Sequence, residues 1–325
     1  MKIKYENNPE ILNNFLYYLS GIKNYSVLTI EQYCLDLMMF FNFLRNYLDL
    51  GIEVKDFNIF ILANVKEADV IAFLVYLNFS RDNTAPTRQR KLSVIRRFYK
   101  WLFTNYPSCY AKENPTQNIY NIPNLVRIPK YLSLEKAKKI QNIFTPENSK
   151  YPVRNNTIIN LFLNTGIRLS ELANINLSDI NLNNNLIIIN RGKGNKERVA
   201  YLNKSAKEQL LKYLKIRNRN KKIIDINEAL FISYQNDRMG IASIENVCKQ
   251  AYKLAGLEDC GYTTHTLRHT AATLMYMYGN VDIVMLKEFL GHVNVSTTEI
   301  YTHVENKQVR SAIDNNPLNE LPVAA

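Results

Sequence analysis

Cysteine and histidine are scarce in this chain of 325 residues, with four of each. Cys34, Cys109, Cys248 and Cys260 form no CxxC pair and no close ligand spacing, which argues against a disulfide or zinc framework and for a reducing compartment. No continuous apolar run approaches the roughly 20 residues that span a bilayer, the longer ones being stretches such as Phe57 to Val65. The opening MKIKYENNPE lacks the apolar core of a signal peptide, so the expectation is a cytoplasmic protein with no membrane association. Internal repeats and low-complexity tracts are missing as well. Acidic residues are outnumbered, 29 Asp and Glu against 41 Lys and Arg, for a net charge of +12. That excess favours a polyanionic partner, because Lys and Arg that neutralise phosphates release condensed counterions. An apolar content of 46% is enough for one large core or two ordinary ones.

Prolines divide what is present. In NPTQNIYNIPNLVRIPK, Pro115, Pro123 and Pro129 each remove an amide donor and bias the preceding residue to extended backbone, so residues 114–130 read as a linker between residues 1–113 and 131–325. Before it, apolar spacing predicts four helices forming a small bundle: one opened by Pro9, then Val27 to Tyr47, Glu67 to Asn78 and Thr84 to Phe103. After it, helices are expected at Ser133 to Phe144, Asn155 to Leu163, Lys204 to Ile216, Ser243 to Leu254, Thr266 to Tyr278 and Ile283 to Leu290. One β interruption stands among them: LIIINRGKGNKERVAYL alternates around a Gly-rich turn and predicts a hairpin. The fold class is mainly α with a small β-sheet.

The fourth helix is the most basic part of the first half. It carries Arg88, Arg90, Lys91, Arg96, Arg97 and Lys100, with no acid between Thr84 and Phe103. A charge run is ordinarily a solvated face. On a helix that can lie along a groove, with no acidic counterpart in its own sequence, it is also a candidate DNA-contacting surface.

All four histidines fall near the C-terminus, at His265, His269, His292 and His303. His265 and Arg268 stand at i and i+3, one helical turn apart, while His269 lies a further 100° round and is expected to pack internally. A His265/His269 pair could bind zinc, but it lacks the Glu of HExxH and any obvious third ligand. Tyr301 follows nine residues after His292. A phenol with an ordinary pKa near 10 attacks phosphorus poorly unless a base takes its proton and cations stabilise the phenolate. Upstream, LNTGIRLSELANI places Arg168 at a helix start, with Glu171 able to hold its guanidinium from the same face. Two Arg forks, Arg168 and Arg268, could neutralise a phosphoryl transition state without metal. Lys193 sits at the tip of RGKGNK, where flanking glycines give it freedom to reach into a groove.

Arg168, Lys193, His265, Arg268, His292 and Tyr301, in this order and these contexts, resemble the active-site set of the tyrosine recombinases of the phage integrase family, especially those of the Xer type. The resemblance also takes in SVLTIEQYCLDLMMFFNFL and the basic fourth helix; Thr264, where many relatives have Pro, is a small departure. It implies a helical, SAM-like core-binding domain and a mixed α/β catalytic domain that form a C-shaped clamp on double-stranded DNA. Tyr301 would attack the scissile phosphate to give a 3′-phosphotyrosine, with Arg168 and Arg268 stabilising the phosphorane. Lys193 would protonate the leaving oxygen, His265 would act as base and His292 would bond a non-bridging oxygen. No cofactor or metal is implied, because the phosphotyrosine conserves the bond energy. A homo-tetramer, or a paired recombinase, on two DNA sites would exchange strands through a Holliday junction, with a helix near residues 305–315 docking in cis or on a neighbour. Two other readings stay open: a non-catalytic DNA-binding protein on this fold, and a type IB topoisomerase. The role among chromosome-dimer resolution, integration or excision, and inversion is not specified by these residues.

Overall fold

The computed structural model describes residues 5–106, 113–123, 129–189, 198–218, 228–279 and 281–291. The chain divides into two compact units, Met1–Val126 and Arg127–Ala325.

In the first unit, α1 (Glu10–Gly21), α2 (Val27–Tyr47), α3 (Ile59–Ala63), α4 (Glu67–Phe79) and α5 (Ala85–Asn105) surround one core. Local chemistry sets their starts: Ser26 caps α2 by accepting from the Thr29 amide, Asn58 caps α3, and Asp69 accepts from the Lys66 amide at the head of α4. Pro9 stands one residue before α1 as its cap, and the short α3 has no counterpart among the expected helices. The core is aromatic. Phe15, Phe40, Phe41, Phe73, Phe98 and Tyr99 are fully buried, with edge-to-face pairs such as Phe15 and Phe98 at 5.3 Å.

By length and composition alone helix α2 could cross a membrane, although it holds no continuous apolar run, since Glu31, Gln32, Asp36 and Asn42 interrupt it. It is nonetheless a core helix: Ile30, Leu37, Phe40, Phe41 and Leu44 are buried, and it packs against α1, α4 and α5. The expected linker at 114–130 contains the boundary between the two units, and its first part is docked. Residues 113–123 lie against α5, where Gln89 donates to Asn121 at 3.0 Å and accepts from the Ile122 amide at 2.7 Å, while Ile119 and Ile122 pack on the core. Prolines mark extended backbone; they do not say whether that backbone is docked.

The second unit contains α6 (Leu134–Gln141), α7 (Pro152–Thr165), α8 (Leu169–Asn174), β1 (Ile180–Asn181), β2 (Leu186–Ile189), β3 (Arg198–Tyr201), α9 (Lys204–Asn218), α10 (Ile241–Leu254), α11 (Thr264–Tyr278) and α12 (Ile283–Leu290). Helix α7 is central, packing against α6, α9, α10 and α11. Its buried asparagines earn their place through hydrogen bonds: Asn156 pairs with both the amide and the carbonyl of Phe144, at 3.0 and 2.8 Å. The three strands form an antiparallel sheet in the order β1-β2-β3, with Ile187 opposite Ala200 and Ile189 opposite Arg198. Residues 190–197 between β2 and β3, Lys193 included, lie outside the described residues, as do His292, Tyr301, His303 and the expected docking helix at 305–315. Helices α11 and α12 join through Ala272, Tyr276, Leu286 and Leu290.

Candidate active site

The site begins at the turn between α7 and α8. Helix α7 ends on Gly166, whose φ of 56° is left-handed and suits glycine; two residues later Arg168, in extended backbone, caps α8. Glu171, in the first turn of α8, accepts from the Arg168 amide at 2.8 Å and from the Arg168 Nη1 at 2.6 Å. The acid at this helix start therefore serves both as half of a capping box and as the anchor of a guanidinium.

Helix α12 reaches the same place from the opposite direction. It ends on Gly291, again left-handed at φ 60°. The last carbonyls of a helix have no intrahelical partner and carry the negative end of its dipole. Here three consecutive ones each receive an arginine: Phe289 from Arg198 Nη1 at 3.1 Å, Leu290 from Arg268 Nη2 at 2.5 Å, and Gly291 from Arg168 Nη2 at 3.0 Å. Arg268 also donates to the Gly166 carbonyl, so one buried guanidinium spans the ends of α7 and α12. The structure thus gathers Arg168, Glu171 and Arg268 at the residue that immediately precedes His292 in the chain.

Arg198 completes the cluster and was missed by sequence reasoning. Its Nη2 lies 2.6 Å from Glu171 Oε2, and its side chain is only 10% exposed. A signal for it existed: Arg198 pairs with the buried Ile189 and stands two residues before the buried Ala200, so it occupies the inward face of the sheet. A basic residue on an inward face requires a partner.

Glu171 is that partner. Its side chain is 1% exposed, and burial alone would raise its pKa; the hydrogen bond and charge of Arg198, with hydrogen bonds from the Arg168 amide and side chain, outweigh this and hold it at about 2. One ionised carboxylate shared between two guanidinium groups leaves a net positive charge beside the α12 terminus.

His265, the second residue of α11, is exposed, and Arg268 lies one turn deeper at 5% exposure. His269 is half-buried. Burial, followed by the charges of His265 and Arg268, lowers its pKa to about 4, so it is neutral near pH 7.

The six cations of α5 divide into different environments. Lys91 is buried and donates to Asp36 of α2 at 2.7 Å; Arg90 ion-pairs with the same carboxylate, which is 1% exposed. The helix therefore does have an acidic counterpart, supplied from α2, which a search along α5 alone could not find. Arg96 donates to Asn121 at 2.6 Å and to the Ile119 carbonyl, and so holds the 113–123 segment in place. Arg97 lies over the Tyr25 ring at 5.4 Å. Arg97 and Lys100 are exposed, and Arg88 is partly buried.

Known proteins share this architecture. Residues 130–308 match the phage integrase family, and residues 12–105 match its N-terminal SAM-like domain. A tyrosine recombinase XerC of Caldanaerobacter subterraneus subsp. tengcongensis is 41% identical over 320 residues, covering 96% of this chain and 88% of the relative. A tyrosine recombinase XerD of Rickettsia prowazekii is 31% identical over 270 residues, covering 79% and 84%. Among solved structures, the XerH site-specific recombinase bound to palindromic difH substrate in a post-cleavage complex superposes with a TM-score of 0.71 at 22% identity, covering 95% of this chain and 84% of that one. The Tn1549 transposon integrase in complex with circular intermediate DNA gives 0.70 at 16%, covering 94% and 99%; at such identities the likeness is one of fold. The chain belongs to the phage integrase family, as a tyrosine-type site-specific DNA recombinase of the Xer kind.

Proposed function

We propose that this recombinase cuts and rejoins double-stranded DNA with Tyr301 as nucleophile and Arg168, Lys193, His265, Arg268 and His292 as its assisting groups. The Tyr301 oxygen attacks the scissile phosphorus while its proton passes to His265. The bond from phosphorus to the 5′-oxygen breaks as Lys193 protonates that oxygen, leaving a 3′-phosphotyrosine and a free 5′-hydroxyl. Arg168 and Arg268 carry the charge that develops on the non-bridging oxygens, with a hydrogen bond from His292. Attack by the 5′-hydroxyl of a partner strand reverses the step, releases Tyr301 and yields a Holliday junction after the first exchange. Because the phosphotyrosine retains the bond energy, this reaction consumes no nucleotide. Four copies acting on two DNA sites in the cytoplasm, with chromosome-dimer resolution as the physiological task, fit the Xer relatives.

The observation that carries this reading is the convergence of Arg168 and Arg268, far apart in sequence, on adjacent carbonyls just before His292. The exposed cations of α5 support a role in holding the duplex.

The test uses a duplex identified by footprinting chromosomal fragments that the full chain retains, nicked near the cleavage position so that a cut strand cannot be rejoined. The expected result is a covalent protein–DNA adduct with the native chain, and none with Tyr301→Phe at unchanged DNA affinity. A native chain that binds the duplex and never forms the adduct would retire this chemistry, and relaxation of a plasmid lacking the footprinted site would favour a topoisomerase.

A further inference from the structure

We propose that Arg198 is a positioning residue for the recombination site, one that ties Glu171, and through it Arg168, to the carbonyl end of α12. The inference rests on the catalytic reading above and adds to it a residue outside the six.

The geometry is that of a bridge. One guanidinium donates Nη2 to Glu171 Oε2 at 2.6 Å, with Nε 3.4 Å from Oε1, and turns Nη1 to the Phe289 carbonyl at 3.1 Å. Glu171 in turn holds Arg168 through both its amide and its Nη1. Arg198 is also the first residue of β3, so its anchors fix the start of the strand that follows residues 190–197 in the chain. Three segments therefore meet through one side chain: the head of α8 with Arg168, the start of β3, and the end of α12.

A purely structural role would not require this residue. Position 198 is on the inward sheet face, where an apolar side chain would avoid the cost of desolvating a charge. Gly291 is shaped around the bridge as well: a Cβ there would stand 2.6 Å from Arg198 Cδ. Only an arginine can present separate N–H groups, in fixed directions, to a carboxylate and a carbonyl together.

The experiment measures the single-turnover rate of adduct formation on the nicked duplex defined above, at saturating DNA, together with DNA affinity and melting temperature. Arg198→Gln is expected to slow adduct formation about 10- to 100-fold, the scale of a slightly misplaced reacting group, with affinity changed less than about 3-fold. Glu171→Gln is expected to slow it comparably. The double variant should be scarcely slower than the slower single one, because both changes break the same connection. Arg198→Lys, which keeps the charge but reaches one anchor at a time, should fall between native and Arg198→Gln, and it carries the test alone if Arg198→Gln does not fold. A native rate in Arg198→Gln or in Arg198→Lys, a loss confined to affinity, or effects that multiply in the double variant would overturn the inference. Each of those outcomes presupposes an adduct with the native chain, so failure of the catalytic reading is distinguished by the absence of that adduct.

Discussion

Glu171 and His269 make the stability of the second unit depend on pH, both on the acid side, His269 over the higher range and Glu171 over the lower. Glu171 has a folded pKa of about 2 against an ordinary carboxylate value of 4.5, so the stability it contributes is complete above pH 4.5 and is lost as pH falls through 2. His269 has a folded pKa of about 4 against 6.5; the unfolded chain takes up its proton first, so stability declines as pH falls from 6.5 towards 4. His269→Gln removes the higher range alone. Urea unfolding at pH 7.5, 5.5 and 4.5 should show native and variant converging as pH falls, and parallel curves would contradict the assignment. The arginines differ in how far sequence reveals them. Arg168 and Arg268 are legible from their contexts, Gly-Ile-Arg at a helix start and an i, i+3 pair with His265. Arg198 is legible only once the sheet register is known, because its partner Glu171 is 27 residues away on another element.

At the scale of elements, the end of α12 is held by three arginines and a left-handed glycine. Gly291→Ala forces a left-handed φ on an alanine and drives its Cβ into Arg198. A loss of about 1 to 3 kcal/mol is expected, read by urea unfolding, with slower adduct formation as Arg198 is displaced. An unchanged midpoint would show that Arg198 moves aside freely. Helix α12 itself was readable to the residue, because Asp282 caps it and Gly291 stops it. Helix α7 begins at Pro152, ahead of the expected Asn155, although proline at a first helical position is a start signal the spacing argument had passed over. The two-residue β1 and five-residue α3 are too short for any periodicity to register; tertiary pairing defines them. Thr264 proves to be the first residue of α11, a position that accommodates proline as well, so the departure from the family pattern leaves the helix start in place.

For the whole molecule, a charge of +12 predicts strong salt dependence of DNA binding, but the cations of α5 do not contribute alike. Lys100→Ala, at an exposed position, should reduce the slope of log affinity against log salt by about 1 without altering stability. Lys91→Ala leaves the Asp36 carboxylate with one cation fewer in a buried site, costing about 3 kcal/mol of stability and leaving the salt slope nearly unchanged. Equal effects of the two on the slope would refute this division. The buried Asp36 has a consequence at an earlier moment in the life of the chain. Before the chain folds, α2 is a 21-residue segment that matches a membrane span by length and composition alone. A carboxylate near the middle of such a segment costs roughly 2.5 to 3.5 kcal/mol in the bilayer centre, against the few tenths gained per apolar residue. Asp36 therefore weighs against α2 as a membrane span, and in the folded chain Arg90 and Lys91, some fifty residues further along the sequence, neutralise it.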